Sequence, residues 1–225
     1  MNADARVWLA ENAAEPGTSV ITSLPDVSEL PVAFDAWRAW FVAAARQILA
    51  WVPRDGCAVF YQSDVRHRGV WIDKGYLVLR AAEDAAVPLV WHKVVCRRPP
   101  GTIAAGRPSW SHMLCFGATA GLSQPGPDVL ADAGAMASPR AMGEAACRVA
   151  VRYLVENTPT RVVVDPYCGH GAVLAVANEM GLDAIGVDLS AKRCRAARSF
   201  ELGRSRRPRD AEQQLARADA RRPPR

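Results

Sequence analysis

The sequence predicts an α/β chain, a Rossmann-like sheet of buried strands with helices on both faces. Three observations carry this. Short apolar runs such as 57–64 and 161–165 alternate with longer segments whose apolar residues recur at helical spacing. Two of the short runs end in an acid, Asp165 and Asp188, and the first of them enters a turn of small residues that includes Gly169 and Gly171. Half of the 225 residues are apolar, enough for one α/β domain with a sizeable core.

Taken in order, residues 1–26 read as a short strand, a brief helix and a second strand, with Glu15-Pro-Gly17 as a turn between them. Residues 35–50 place Trp37, Phe41, Ala44 and Ile48 on one helical face, with Asp35 at the start and Pro53 and Gly56 beyond the end. Residues 57–64 form a third buried strand with a polar end. A polar loop with Trp71 covers 66–74 and leads to a helix at 75–85. Strands follow at 89–96 and 111–117, separated by a turn-rich basic segment, and residues 119–141 form the longest connection. A helix at 143–156 precedes the 161–165 strand, its helix, the 184–188 strand and a last helix at 190–202. This alternation implies a parallel sheet. One domain is expected over 1–203, with a target and catalytic half at 1–118 and a cofactor half at 138–203.

Composition narrows the function. No run of about 18 apolar residues and no signal-peptide pattern occurs, so the expectation is a soluble, cytoplasmic protein with no membrane partner. Six scattered cysteines without a C-x-x-C pair read as reduced core thiols. Four histidines without ligand spacing argue against a metal, and His92 and His112, inside strands, read as satisfied core residues. Residues 204–225 hold eight arginines against three acids, a net of +5, which equals the charge of the whole chain. Such a tail either binds nucleic-acid phosphates or is a disordered solubilising end.

In open α/β sheets ligands lie outside the carboxyl ends of the strands, and an acid ending the second strand commonly holds ribose hydroxyls; Asp188 has that place. The preceding turn begins with Asp165, which would repel the pyrophosphate of a nicotinamide cofactor and suits a cation such as an amino-acid ammonium.

The stretch Asp165-Pro-Tyr167-Cys168-Gly169-His-Gly171 resembles motif I of the class I S-adenosylmethionine-dependent methyltransferases, in the form typical of nucleic-acid amino-methyltransferases. With this half late in the chain, the order resembles the circularly permuted β-class of DNA amino-methyltransferases. The resemblance implies that Asp4, in Asn2-Ala-Asp-Ala-Arg-Val-Trp-Leu, contacts the cofactor adenine, and that Ser138, opening Ser-Pro-Arg-Ala-Met142, lies at its methionine end. It implies close approach of the cofactor to the backbone from Tyr167 through Cys168 and Gly169 to Gly171. Where the family carries [DNS]-P-P-[YFW], this chain has Ser23-Leu-Pro25-Asp26. Ser23 can still accept a hydrogen bond from the acceptor and Pro25 can stiffen the turn, but the ring that stacks on a flipped base is replaced by a carboxylate. Asp26 could orient or deprotonate a nucleophile; Ser-x-Pro-Asp is equally an ordinary capped turn.

The implied function is S-adenosylmethionine-dependent methyl transfer to a nucleic acid, with RNA slightly favoured over DNA because the chain lacks a long insertion for target recognition. The expected contacts are the basic tail and a surface mixing cations with aromatics, Trp71, Arg97, Arg98, Arg107 and Trp110, while Tyr61, Gln62, Asp64, Arg66 and His67 end the neighbouring strand and are expected to line the same cleft. Enzymes of this family often dimerise, so a homodimer is compatible with the resemblance. The alternatives are a small-molecule or protein methyltransferase, a cofactor-binding pseudoenzyme, and a nicotinamide-binding protein.

Overall fold

The structure is a computed structural model describing residues 1–103, 108–118 and 126–203. At its centre lies a seven-stranded sheet in the order β7 (Val129–Leu130), β5 (Leu89–Cys96), β6 (Trp110–Gly117), β2 (Cys57–Gln62), β1 (Thr18–Thr22), β8 (Val162–Asp165), β9 (Asp183–Gly186). β2, β1, β8 and β9 run parallel. Every residue of β1 and β2 is buried, the polar Thr18, Ser19 and Thr22 included, because the sheet is covered on both faces.

Contrary to the sequence-based expectation, the sheet is not wholly parallel. β6 runs antiparallel to both β2 and β5. Parallel neighbours need a crossover of a dozen or more residues, usually a helix. Between Cys96 and Trp110 the chain has only the turn-rich basic segment, so the two strands pair back to back in sequence.

Helices cover both faces. α1 (Ala5–Glu11), α2 (Phe34–Trp51) and α3 (Lys74–Asp84) bring Trp8, Trp37, Phe41 and Leu77 against Val20, Phe60 and Leu114. On the other face, α4 (Glu144–Asn157) and α5 (Ala172–Glu179) bring Ala150, Leu154 and Val176 against Ile21, Val59 and Val163. Successive strand residues point to opposite faces, so Val20 and Ile21 enter different cores. The last helix, α6 (Ala191–Arg198), is shorter than its sequence pattern, because Phe200 and Leu202 pack against the α4 and α5 core instead of continuing the helix.

Two further readings are revised. The polar loop after β2 contains a separate two-stranded hairpin, β3 (Val65–His67) and β4 (Val70–Ile72). The first expected strand is a single bridge from Asn2 to Asp188, through which the N-terminus extends the edge of β9; the amide of Ala3 donates to the carbonyl of Asp188 at 3.3 Å. All six cysteines are buried and unpaired. Among the described residues no helix is long and apolar enough to cross a membrane. Arg107 and the tail 204–225 lie outside the described residues.

Candidate cofactor and acceptor site

β1, β8 and β9 share a direction, so their carboxyl ends open on one edge, and there lies a cavity of about 650 Å³. The turn after β8 (Asp165 through Ala172), the turn after β1 (Ser23, Leu24, Pro25), Asp188, Asp4 and Ser138 all line it. Residues from the beginning, middle and end of the described chain are thereby brought to one site.

Asp165 ends β8 and is buried. Its Oδ1 accepts two hydrogen bonds, from Thr22 Oγ1 at 2.7 Å and from the Tyr167 amide at 3.1 Å. These do not offset removal from water, and burial pushes its carboxyl up to about 7, with the nearby Asp188 charge acting in the same direction. A buried carboxylate of this kind gains most from a cationic partner. Asp188 follows β9. Its Oδ2 accepts from the Gly169 amide at 3.1 Å and its Oδ1 from the Ser190 amide at 2.7 Å, so one carboxylate joins the glycine turn to the start of α6.

Gly169 and Gly171 both take positive φ, +52° and +87°. A Cβ on Gly169 would meet nothing within 4 Å, so the turn presents bare backbone to open space. A Cβ on Gly171 would lie 2.8 Å from the Cβ of Ala197 on α6. Gly171→Ala therefore combines a disfavoured backbone region, about 1–3 kcal/mol, with a clash that separates α6 from the turn. Thermal denaturation is expected to show a loss of at least that size, together with weakened ligand binding by calorimetry. Burial pushes the Cys168 thiol up to about 12, which leaves it unreactive. Burial likewise raises the Tyr167 phenol, whose ring meets Trp40 edge-on at 5.9 Å and forms one wall of the cavity.

At the rim, Asp4 caps α1: its Oδ1 accepts from the amides of Arg6 at 2.8 Å and Val7 at 3.1 Å. Ser138 lines the opposite side, its Oγ accepting from the Arg140 amide at 3.4 Å.

The turn after β1 divides. Ser23 and Pro25 line the cavity, and the carbonyl of Pro25 accepts from Trp37 Nε1 at 3.1 Å. Asp26 does not line it. Its carboxylate turns to the ammonium of Lys74, whose side chain is only 3% exposed, and its amide donates to Glu29 Oε2 at 3.0 Å at the head of a 3-10 turn, Val27–Glu29. The capped-turn reading describes Asp26 better than a place beside a nucleophile. Removing one partner of a buried pair strands the other charge. Asp26→Ala is therefore expected to cost about 3–5 kcal/mol in urea unfolding, with most of it recovered in the Asp26→Ala/Lys74→Met double variant.

Other sequence candidates lie elsewhere. Tyr61 and Gln62 are buried in the sheet and do not line the cavity. Asp64 turns inward, accepting from the Lys74 amide at 2.9 Å and contacting His112 Nε2 at 3.1 Å. His112 is a buried, bonded histidine as expected, whereas its partner His92 faces solvent. Asp64, Asp73 and His112 bring ligand atoms within 4.8 Å of one another, but each Asp already accepts from a backbone amide of α3.

Sequence reasoning missed four residues. Thr22 couples β1 to β8 through Asp165. Glu29 stands between Arg140 at 3.5 Å and Arg193 at 3.3 Å, all three lining the cavity. Arg140 sits in the Ser138–Met142 segment already singled out. Glu29 and Arg193 carry no motif, and only the fold brings them together.

The lining suits S-adenosylmethionine. Asp165 and Asp188 offer carboxylates to its cationic and hydroxyl groups, Arg140 and Arg193 offer cations to its carboxylate, and the Tyr167 and Trp40 wall offers an aromatic surface to its adenine.

No protein-family profile matches the chain, and no curated protein matches it in sequence. Solved structures do match in shape. TTHA0409, described as a DNA modification methylase of Thermus thermophilus and solved in complex with S-adenosyl-L-methionine, superposes with a TM-score of 0.67 at 18% identity over 87% of this chain and 91% of that one. PvuII DNA methyltransferase, specific for cytosine N4, superposes with a TM-score of 0.71 at 14% identity over 98% and 90%. The M1.HpyAVI–SAM complex gives 0.55 at 14% identity over 88% and 96%.

Proposed function

We propose that this chain, which has the class I methyltransferase fold, is an S-adenosylmethionine-dependent methyltransferase acting on an amino group of a DNA base. One observation carries the reading above all: the two acid-tipped strands β8 and β9 face a single cavity whose other wall is the Ser23-Leu-Pro25 turn. That arrangement sets a cation-binding carboxylate, a ribose-binding carboxylate and a hydrogen-bonding turn around one space. Two of the structural neighbours are named as DNA enzymes, which favours DNA; nothing in that likeness supports the RNA preference drawn from the sequence.

When bound, the cofactor supplies a methyl group already activated by its sulfonium, so the protein has to align an acceptor and exclude water. In this reading Asp165 holds the methionine ammonium, Asp188 the ribose hydroxyls and Asp4 the adenine amine. Tyr167, Cys168, Gly169 and Gly171 give close backbone approach, and Ser138 borders the methionine end. Ser23 Oγ and the Leu24 carbonyl accept hydrogen bonds from the acceptor amine, and Pro25 holds the turn rigid. Asp26 acts through stability, by way of Lys74. The early place of β1 and the late place of β8 support a permuted motif order, with the target half at 1–118 and the cofactor half at 138–203.

Titration calorimetry with S-adenosylmethionine and with NADH tests the cofactor assignment. Binding of S-adenosylmethionine alone is expected; binding of NADH alone would refute it. Cofactor binding without methyl transfer to any DNA, RNA or protein would favour a pseudoenzyme, the reading that the missing aromatic at position 26 also permits.

A further inference from the structure

Immediately after β2, on the same carboxyl edge as the cavity, the β3 and β4 hairpin lies with one face against the body of the protein. Its base is fixed. Val65 and Ile72, the pair at the base, pack against the core under α2 and α3, and next to the turn the ring of His67 stacks on Phe34 with centroids 4.1 Å apart and planes 9° from parallel. Of the flanking acids, Asp64 turns inward and contacts His112 Nε2 at 3.1 Å, while Asp73 contacts the same nitrogen at 3.3 Å with its side chain 58% exposed. A two-stranded hairpin alone is marginal in water, and these contacts make this one a rigid arm.

Its outer part has the opposite character. Between Val65 and Ile72 there is no acid, while Arg66 and Arg68 are both exposed. Trp71, 48% exposed, shares one face of the hairpin with its cross-strand partner Arg66, while Val70 lies on the other face with Val65, His67 and Ile72. The Arg66 guanidinium lies over the Trp71 ring at 6.0 Å, so a cation and an aromatic face are offered together. The turn is tight: Arg68 and Gly69 both have positive φ, 48° and 85°, the backbone of a type I′ hairpin. Arginine at a position that favours Asn or Gly keeps a cation at the very tip.

We infer that this hairpin is the duplex-DNA contact of the protein, with Arg66 and Arg68 on phosphates and Trp71, on the same face as Arg66, against the bases or sugars of a groove. The inference rests on the DNA methyltransferase reading and gives it a target-contacting element at a place where no large recognition domain occurs among the described residues. The chemistry is phosphate neutralisation combined with an aromatic face, the pairing by which proteins hold a nucleic-acid backbone and its bases.

The test is binding of a 30-base-pair duplex by fluorescence anisotropy between 50 and 200 mM KCl, using the full chain. Arg66→Ala/Arg68→Ala is expected to weaken binding and to flatten the slope of log affinity against log salt by about 2, since each phosphate contact contributes about 0.9. Arg66→Lys/Arg68→Lys is expected to keep the slope. Trp71→Ala is expected to lower affinity about tenfold with the slope unchanged. Circular dichroism and S-adenosylmethionine affinity should match wild type in every variant, which separates a lost contact from a lost fold. Unchanged slope and affinity in the variants, absence of duplex binding by wild type, or tighter binding of an RNA hairpin than of duplex DNA would each overturn the inference. Loss of the slope with no methyl transfer by wild type would leave the hairpin contact standing and remove the methyltransferase reading instead.

Discussion

Asp188→Ala is expected to abolish methyl transfer and to weaken S-adenosylmethionine binding at least 100-fold, about 2.7 kcal/mol. The size follows from the double role of this carboxylate. In the free protein it accepts from the amides of Gly169 and Ser190, each bond to a charged group being worth about 1.5–3 kcal/mol. It therefore shapes the glycine turn and the start of α6 before any ligand arrives. In the bound state it is assigned to the ribose hydroxyls. Asp188→Asn keeps one oxygen for an amide and should retain most of the stability while still losing affinity. A calorimetric titration beside a urea melt separates the two contributions. An Asp188→Ala protein that is less stable yet binds the cofactor normally would remove Asp188 from the binding site.

The second large effect is a dependence on pH set by Asp165. Burial raises its folded-state carboxyl to about 7 from an ordinary value of 3.8. The folded protein therefore binds a proton that the unfolded chain has released between those values, and the stability contributed by this group is present in full below pH 3.8 and lost as pH rises to about 7. Cofactor binding runs the other way, because an ammonium needs the carboxylate. Affinity should fall about tenfold for each pH unit below 7 and level off above it, with a proton released on binding near pH 6. Comparing binding enthalpies in two buffers of different ionisation enthalpy measures that proton. Asp165→Asn should abolish the proton release, flatten the pH profile and reduce affinity by 100-fold or more, while making the protein more stable at pH 8. A wild-type profile flat from pH 5 to 8 would mean that Asp165 is not the cation's partner.

The parts of the fold that sequence disclosed are those with one dominant physical signal. β2 and β8 are covered on both faces and their sequences run apolar to a polar end, and α2 carries Trp37, Phe41, Ala44 and Ile48 inward on one face. The acids at the ends of β8 and β9 were visible for the same reason, standing out against apolar runs. The reversal of β6 was not visible, because strand direction depends on what lies between strands and the segment after Cys96 has no periodicity to read. The hairpin after β2 was hidden because a short exposed ribbon has no apolar alternation to mark it. Asp26 illustrates a different limit. Its motif position placed it beside the acceptor, but Lys74, far along the chain, turns it away. Glu29, Arg140 and Arg193 likewise meet only through the fold.

The most direct test of the central claim is transfer of labelled methyl from S-adenosylmethionine to unmethylated duplex DNA, with total RNA and cell protein in parallel and Asp188→Ala as the inactive control. The account predicts label that DNase removes, that appears on an exocyclic amine after digestion to nucleosides, and that is absent with the variant. Label confined to RNA or protein, or no label from a protein that binds the cofactor, would contradict it.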